Sequence, residues 1–180
     1  MRKLNILEKN KVSFSGNDTL YKSLAFSPSK LESIVEIVNS ERLSLGTELS
    51  CVILTDYVRK EFLNTLDEEV NKINKIGVLP IFQYLRTSTV DNKDLAVLTG
   101  TIVIVNYSIM HAVEAYSGDE NYRFSTLKAD DNFVMISGSN TAKKALVGII
   151  TKLFEDGIIK VLVGTKALLG EGWDAPSINS

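Results

Sequence analysis

Three glycines, a tryptophan and an aspartate lie close together near the end of the chain, where residues 164–176 read Gly-Thr-Lys-Ala-Leu-Leu-Gly-Glu-Gly-Trp-Asp-Ala-Pro. Glycine lets main-chain N–H groups approach an anion without an intervening side chain, so such a segment can hold phosphate. A tight turn that needs glycine only for its backbone freedom would have the same composition. The glycines therefore indicate a backbone shaped for close approach, and they do not name the ligand.

The side chains of this segment limit the kinds of ligand that it could contact. The Thr165 hydroxyl and the neighbouring N–H groups, placed at a strand end, are suitable donors to phosphate, and such contacts position a strand without reading its sequence. Asp174 would repel phosphate, so we expect a ribose hydroxyl or an arginine as its partner. Trp173 could stack on a base, but we favour its burial against a sheet.

The elements that must position this segment alternate between short apolar runs and amphipathic stretches. Clusters of β-branched and aliphatic residues predict strands at residues 50–55, 95–100, 102–105, 122–127, 133–137 and 158–163. Apolar residues at helical spacing predict helices at residues 29–38, 56–76, 81–86, 109–116 and 142–154. Pro28 fits a first helical turn, residues 139–141 cap the last of these helices, and Gly157 closes it.

Strands separated by amphipathic helices predict an α/β fold with a mainly parallel sheet flanked by helices. In such sheets ligands bind at the carboxyl ends of the strands. Thr55, Thr99, Gly100 and residues 164–174 are therefore predicted to lie on one functional edge.

The last predicted strand and the segment that follows it resemble motif V of superfamily 2 helicases of the DEAD/DEAH type. That motif is a strand ending in threonine, a short linker and then Gly-x-Asp-x-Pro. Thr165, Gly172, Asp174 and Pro176 match it in order and spacing. The match predicts that this part of the chain couples ATP to nucleic acid.

Upstream residues extend the resemblance over the chain from about residue 45 to its end. Residues 154–157 match the Phe-x-x-Gly that precedes this strand in the family, and residues 98–100 resemble an earlier strand that ends in glycine. Residues 50–56 lie where motif IV belongs. We therefore predict a second RecA-like lobe at residues 29–180 with an inserted β/α segment at about 101–137, preceded at 1–28 by a linker or a strand leading into the domain.

The resemblance implies a division of roles along the predicted edge. Thr165, Thr99, Gly100 and Thr55 would contact DNA or RNA, while Gly172 and Asp174 would face the nucleotide. The sequence has neither a Walker A motif nor an Asp-Glu-Ala-Asp box, and it ends before motif VI. ATP and Mg²⁺ are therefore expected to be held mainly by a separate N-terminal RecA-like lobe, so this lobe alone should have no catalytic residues and no activity.

Composition limits the alternatives. With 20 Lys+Arg and 22 Asp+Glu the net charge is −2, so any contact with nucleic acid must come from a local patch. Cys51 and His111 are single residues of their types, which excludes a disulfide, a cysteine–histidine metal cluster and a site built from two histidines. We expect Cys51 in the core and His111 on a helix surface. No run of about 18 apolar residues predicts a membrane span, so a cytoplasmic location is expected.

Two other function classes remain open. The chain could be a doubly wound module that binds a nucleotide or sugar nucleotide through its glycine-rich turn, without motor activity. It could also be an interaction module that docks a partner through residues 101–137. Lys143 and Lys144 near a predicted helix start oppose the helix dipole, which weakens a purely structural explanation and is consistent with an anionic partner, although an ordinary solvent-exposed helix face is the more frequent reason for such lysines.

Overall fold

The computed structural model describes residues 7–8, 11–12, 28–56, 58, 76–89, 91–118, 122–128, 130–169 and 178–180. The strands are β1 (Leu7–Glu8), β2 (Lys11–Val12), β3 (Cys51–Thr55), β4 (Leu95–Leu98), β5 (Val103–Asn106), β6 (Arg123–Leu127), β7 (Asp130–Ser137) and β8 (Val161–Thr165). The helices are α1 (Pro28–Leu45), α2 (Val78–Ser88), α3 (Met110–Tyr116), α4 (Asn140–Glu155) and α5 (Lys166–Leu169), with 3-10 turns at Gly46–Glu48 and Tyr107–Ile109. Most of the segment predicted at residues 1–28 and most of the helix predicted at residues 56–76 lie outside the described residues.

The main sheet has six strands in the order β3-β8-β4-β5-β7-β6, and β1 and β2 form a separate antiparallel pair. β3, β8 and β4 run parallel to one another. β5, β7 and β6 add antiparallel pairings to β4 and to each other. The predicted α/β class and the neighbouring positions of residues 50–55, 95–98 and 158–163 are confirmed, although the last strand begins at Val161.

The sheet is mixed, where the sequence led us to expect a mainly parallel one. The reason lies after β4, where the chain turns back within residues 99–102 so that Leu98 pairs with Val103. Such a short connection can join only antiparallel strands, because a parallel crossover needs a dozen or more residues. Residues 101–137, predicted to be an inserted β/α segment, therefore continue the same sheet as β5, β6 and β7 and carry α3.

Helices cover both faces of the sheet. On one face α1 and α2 pack on one set of strand side chains, including Leu95, Val97, Val161 and Val163. On the other face α3 and α4 pack on the alternate set, including Ala96, Leu98 and Leu162. All residues of β4 and β8 are buried, as expected for strands covered on both sides. The predicted packing of residues 142–154 on the sheet is confirmed.

Local signals explain where the helices begin and end. α1 starts at Pro28, in its first turn, and buries Leu31, Val35 and Val38 at helical spacing. The Ser139 hydroxyl accepts a hydrogen bond of 3.1 Å from the Ala142 N–H and so caps α4. After α4, Gly157 adopts a φ of 72°, which glycine reaches without steric cost. The capping and closing residues predicted for this helix are confirmed.

Partly buried ion pairs join elements that are distant in sequence. The guanidinium of Arg42 on α1 pairs with both carboxylate oxygens of Asp94, directly before β4. Arg86 on α2 contacts Asp130 at the start of β7, at 3.2 Å.

Cys51 is buried, as predicted, and burial raises the pKa of its thiol. His111 is exposed on α3, as expected for a helix-surface residue. In the described part of the chain, no helix is both long and apolar enough to cross a bilayer.

Candidate functional site

The carboxyl ends of the three parallel strands lie at one edge of the sheet. Thr55 at the end of β3 pairs directly with Thr165 at the end of β8. On the other side of β8, Gly164 pairs with Leu98, the last residue of β4. Three predicted contact residues, Thr55, Thr165 and Thr99, are therefore brought to the same edge, which we term the carboxyl edge.

Thr165 is the residue from which the glycine-rich segment departs. Its side chain is buried, with 7% of the residue exposed, and its hydroxyl has no hydrogen-bond partner among the described residues. The chain passes directly into α5 at Lys166, which is exposed. Thr55 beside it is half-buried. The two threonines thus form a pair of adjacent hydroxyl-bearing side chains at this end of the sheet.

Gly164 fixes how the segment leaves β8. A methyl group at this position would lie 2.4 Å from Leu169 Cδ1 and 2.9 Å from the Leu98 carbonyl oxygen. The Leu169 side chain could move aside, but the Leu98 carbonyl is backbone, so any larger residue would require β4 or β8 to shift. The start of the glycine-rich segment is therefore held against β8 and β4 by close packing.

The Thr99 side chain is hydrogen-bonded within its own turn. Its hydroxyl accepts a 2.8 Å hydrogen bond from the Ile102 N–H and lies 3.0 Å from the Ile102 carbonyl oxygen, to which it can donate. The Thr99 N–H also bonds to that carbonyl, at 2.9 Å, and 3% of the residue is exposed. Thr99 therefore holds the reversal between β4 and β5, and its hydroxyl is already committed.

Gly100, the neighbour of Thr99, is exposed and open. A methyl group built on it would meet no atom within 4 Å, and its φ is not in the left-handed region. Neither the turn nor its packing requires glycine here. An unobstructed backbone at the carboxyl edge is the property expected of a position where another molecule approaches the main chain.

The antiparallel half of the sheet adds a basic cavity to the same edge. β7 runs parallel to β4, so it ends at this edge, and Arg123 at the start of β6 pairs with Ser137 at the end of β7. Arg123 and residues 137–139 line a cavity of about 390 Å³. Sequence reasoning missed Arg123. The Ser-Gly-Ser run before a helical stretch was the available signal for the other lining residues.

The first turn of α4 begins beside this cavity. The N–H groups of Ala142 and Lys143 are bonded to Ser139, and the positive end of the helix dipole at this turn favours an anion. Lys143 is half-buried and Lys144 is exposed, and both lie within the first turn and a half of the helix. With Arg123 they place three positive charges on a chain whose net charge is −2.

Searches of protein-family models, curated proteins and solved structures find no match for this chain.

The remaining predicted site residues, Gly172 and Asp174, lie outside the described residues, as does Trp173. Among the residues that are described, no three His, Cys, Asp or Glu side chains form a group that could hold a metal. Cys51 begins β3 and so lies at the opposite edge from Thr55. The described part of the carboxyl edge offers hydroxyls, an open backbone and basic side chains, which suits binding of phosphate groups.

Proposed function

We propose that this chain is the second RecA-like lobe of an ATP-driven superfamily 2 helicase or translocase, with the motif V segment coupling ATP hydrolysis to nucleic-acid binding. The observation that carries the proposal is the pairing of Thr55 with Thr165 at the ends of parallel neighbouring strands. This is where residues resembling motif IV and motif V would have to meet. The antiparallel strands β5 to β7 are then an addition specific to this chain.

In this proposal the carboxyl edge holds the backbone of DNA or RNA. The Thr165 hydroxyl, free of partners among the described residues, and the open backbone at Gly100 would donate to phosphate oxygens. Thr55 lies beside Thr165 and would contact the same strand. Thr99 would contribute indirectly, by fixing the turn that presents Gly100.

The nucleotide would lie on the side of Gly172 and Asp174, between this lobe and an N-terminal RecA-like partner lobe. ATP and Mg²⁺ supply the phosphoryl-transfer chemistry and would be held mainly by that partner lobe. Asp174 would bind a ribose hydroxyl or an arginine. The lobe by itself would hydrolyse no ATP.

Nucleic-acid binding by the isolated chain tests the proposal. Labelled single-stranded DNA and RNA of mixed sequence would be titrated at low salt and followed by fluorescence anisotropy. Thr165→Ala is expected to weaken binding by about fivefold for every sequence, because one hydrogen bond to phosphate is lost and no base is read. Thr126→Ala, an exposed threonine inside β6, is the matched control and should leave binding unchanged. Absence of binding at low salt would refute the proposal.

Coupling requires the full-length protein that contains both lobes. There Asp174→Ala should cut nucleic-acid-stimulated ATP turnover by about tenfold or more while leaving the melting temperature nearly unchanged. If stimulated turnover stayed intact, or if the variant simply unfolded, the glycine-rich segment would be structural.

A second candidate function is a binding module for a nucleotide or sugar nucleotide. The cavity lined by Arg123 and residues 137–139 at the start of α4 favours it, because a basic side chain and helix N–H groups there suit a phosphate. Titration calorimetry with ATP and with UDP-glucose would distinguish the two. Micromolar binding that Arg123→Gln removes, without any binding of nucleic acid, would make this module the better assignment.

A further inference from the structure

β6 is the last strand of the main sheet on the antiparallel side, and its outer edge is exposed. Its one neighbour in the described sheet is β7. Ser125 and Thr126 are exposed and Phe124 is half-buried. Among the described residues, no backbone group is bonded to these three residues on the side away from β7. β6 therefore ends the sheet with an edge to which another strand can be added.

The hydrogen-bond ladder across the sheet shows which groups of β6 face outward. The Thr99 N–H donates to the Ile102 carbonyl at 2.9 Å, so these residues form a hydrogen-bonded pair at the end of the β4–β5 hairpin. Bonded and non-bonded pairs alternate along antiparallel strands. Through the registers of β4 with β5, β5 with β7 and β7 with β6, this alternation directs the backbone groups of Ser125 towards β7. The N–H and C=O groups of Phe124 and Thr126 consequently point away from the sheet.

The middle of this edge lacks the features that usually prevent edge strands from pairing. Natural edge strands are commonly protected by proline, by lysine or by bulges. Residues 124–126 carry none of these. Arg123 and Lys128 are the flanking charges, and an irregularity in the register with β7 lies between Thr126 and Leu127. These features limit the open edge to the short stretch 124–126.

The open stretch is complementary to itself about Ser125. When two copies of β6 run antiparallel with Ser125 opposite Ser125, Phe124 of each copy lies opposite Thr126 of the other, and each such pair exchanges both N–H···O bonds. The Phe124 ring then meets a β-branched side chain, which is a favourable cross-strand pair. Arg123 lies opposite Leu127, so no like charges meet. A contact in which both copies use the same residues is what a closed two-fold dimer requires.

We propose that β6 is a dimerisation edge, which pairs with β6 of a second copy of this chain in antiparallel register centred on Ser125. The two-fold axis is perpendicular to the sheet, so the two carboxyl edges face opposite directions. Thr55 and Thr165 stay outside the interface, because β3 and β8 lie at the far side of the sheet. The contact is much smaller than the interface of a permanent dimer, so we expect a weak dimer that forms at about 100 µM protein. The proposal does not depend on the proposed function.

Disulfide trapping tests the register of this pairing. The Cα atoms of a non-bonded antiparallel pair are about 4.5 Å apart, within disulfide reach, so Ser125→Cys should give a cross-linked dimer under mild oxidation at about 100 µM protein. Arg123→Cys is the matched control, since it is exposed on the same face of the same strand. Its two copies would lie roughly 14 Å apart and should cross-link at least about tenfold less. The unsubstituted chain, whose Cys51 is buried, should not cross-link.

Charge substitution at the two-fold axis gives a second test, without oxidation. Ser125→Lys and Ser125→Glu each place like charges opposite one another, so each protein alone should remain monomeric in sedimentation velocity. Mixed in equal amounts the two proteins should form a heterodimer, because opposite charges then meet. Circular dichroism of both should match that of the unsubstituted chain, since position 125 is exposed.

Hydrogen exchange distinguishes a second copy from other occupants of the edge. Protection of the Phe124 and Thr126 amides that rises with protein concentration supports the dimer. Protection that is the same at every concentration would show that another segment of the same chain covers the edge, and the proposal would be wrong. Equal cross-linking of the two cysteine variants, or lysine and glutamate variants that stay monomeric when mixed, would also overturn it.

Discussion

The parallel half of the sheet, β3, β8 and β4, and the antiparallel half, β5, β7 and β6, bring residues to the carboxyl edge by different means. In the parallel half the neighbours come from distant parts of the sequence, as in the pairing of Cys51 with Val161. On the antiparallel side, β4 with β5 and β6 with β7 are hairpins of consecutive strands, as with Leu98 and Val103, while β5 pairs with β7 across a longer separation. The threonine pair of the parallel half therefore depends on long-range pairing of β3 with β8, whereas local hairpins place Gly100 and Arg123.

The two halves also differ in what holds their site residues in place. Close packing of Gly164 on Leu169 and Leu98 fixes the parallel half, so movement of the glycine-rich segment would be transmitted to β8 and β4. The antiparallel half is held by its own turns and ends in an edge strand, β6, that is mostly exposed. We interpret close packing at Gly164 as what holds the parallel side of the site, and β6 as the exposed border of the other side.

Removal of a large core side chain from the antiparallel half should have the largest effect. Phe133 on β7 is fully buried and meets Phe82 of α2 edge-to-face, with ring centroids 5.1 Å apart. Phe133→Ala should lower the free energy of unfolding by about 3–5 kcal/mol, measured by urea denaturation. Tyr107→Ala, which removes an exposed aromatic side chain, is the control. A loss below about 1 kcal/mol would mean that β7 is a dispensable addition to an independent parallel core.

The next largest effect is expected in the parallel half. Gly164→Ala puts a methyl group against Leu169 and the Leu98 carbonyl and should cost about 1–3 kcal/mol of stability. Gly100→Ala, with open space around it, should change stability by less than about 0.5 kcal/mol. Equal melting temperatures for the two variants would show that α5 does not need its close approach to β8.

The turn between the halves provides a third test. Thr99→Ala leaves the buried Ile102 N–H without the Thr99 hydroxyl and should cost about 1–2 kcal/mol, while Thr99→Ser should recover most of that loss. Denaturation curves of the three proteins give the comparison. If serine did not rescue stability, the threonine methyl group and not the hydrogen bond would explain the effect.

The smallest expected effect is electrostatic. In the proposed nucleic-acid complex, Arg123→Gln should reduce the slope of log affinity against log salt by roughly 0.7 for single strands, the contribution of one phosphate contact. Lys30→Gln, an exposed lysine on α1, serves as the charge-matched control. A slope that both variants reduce equally would indicate that total charge matters and that the cavity makes no specific contact.

Much of the local structure was predictable because it depends on short-range signals. Ser139 and Gly157 marked α4 since a cap hydroxyl and a glycine in the left-handed region act within a few residues. The buried strands followed from their apolar runs. The direction of β5 could not be predicted, because its aliphatic residues give the same pattern in a parallel and in an antiparallel strand. The turn held by Thr99 decides that direction.

The candidate site was predictable in its parallel half and not in its antiparallel half. Thr55 and Thr165 follow from the rule that parallel strands end at one edge. Arg123 is a single charge in a polar stretch, and only the register of β6 on β7 brings it beside Ser137. Thr99 was placed correctly at the edge, but its hydroxyl turned out to be engaged by its own turn, which no spacing rule revealed.

The single buried thiol, at the opposite end of β3 from Thr55, offers a way to measure how often that strand opens. Thiol reagents attack the thiolate, and burial both shields Cys51 and raises its pKa, so the folded chain should react slowly. Because the sequence contains one cysteine, each molecule gives a single labelling event. The labelling rate would therefore record how often the first strand of the parallel half opens, and any ligand that slows it must be holding that strand closed.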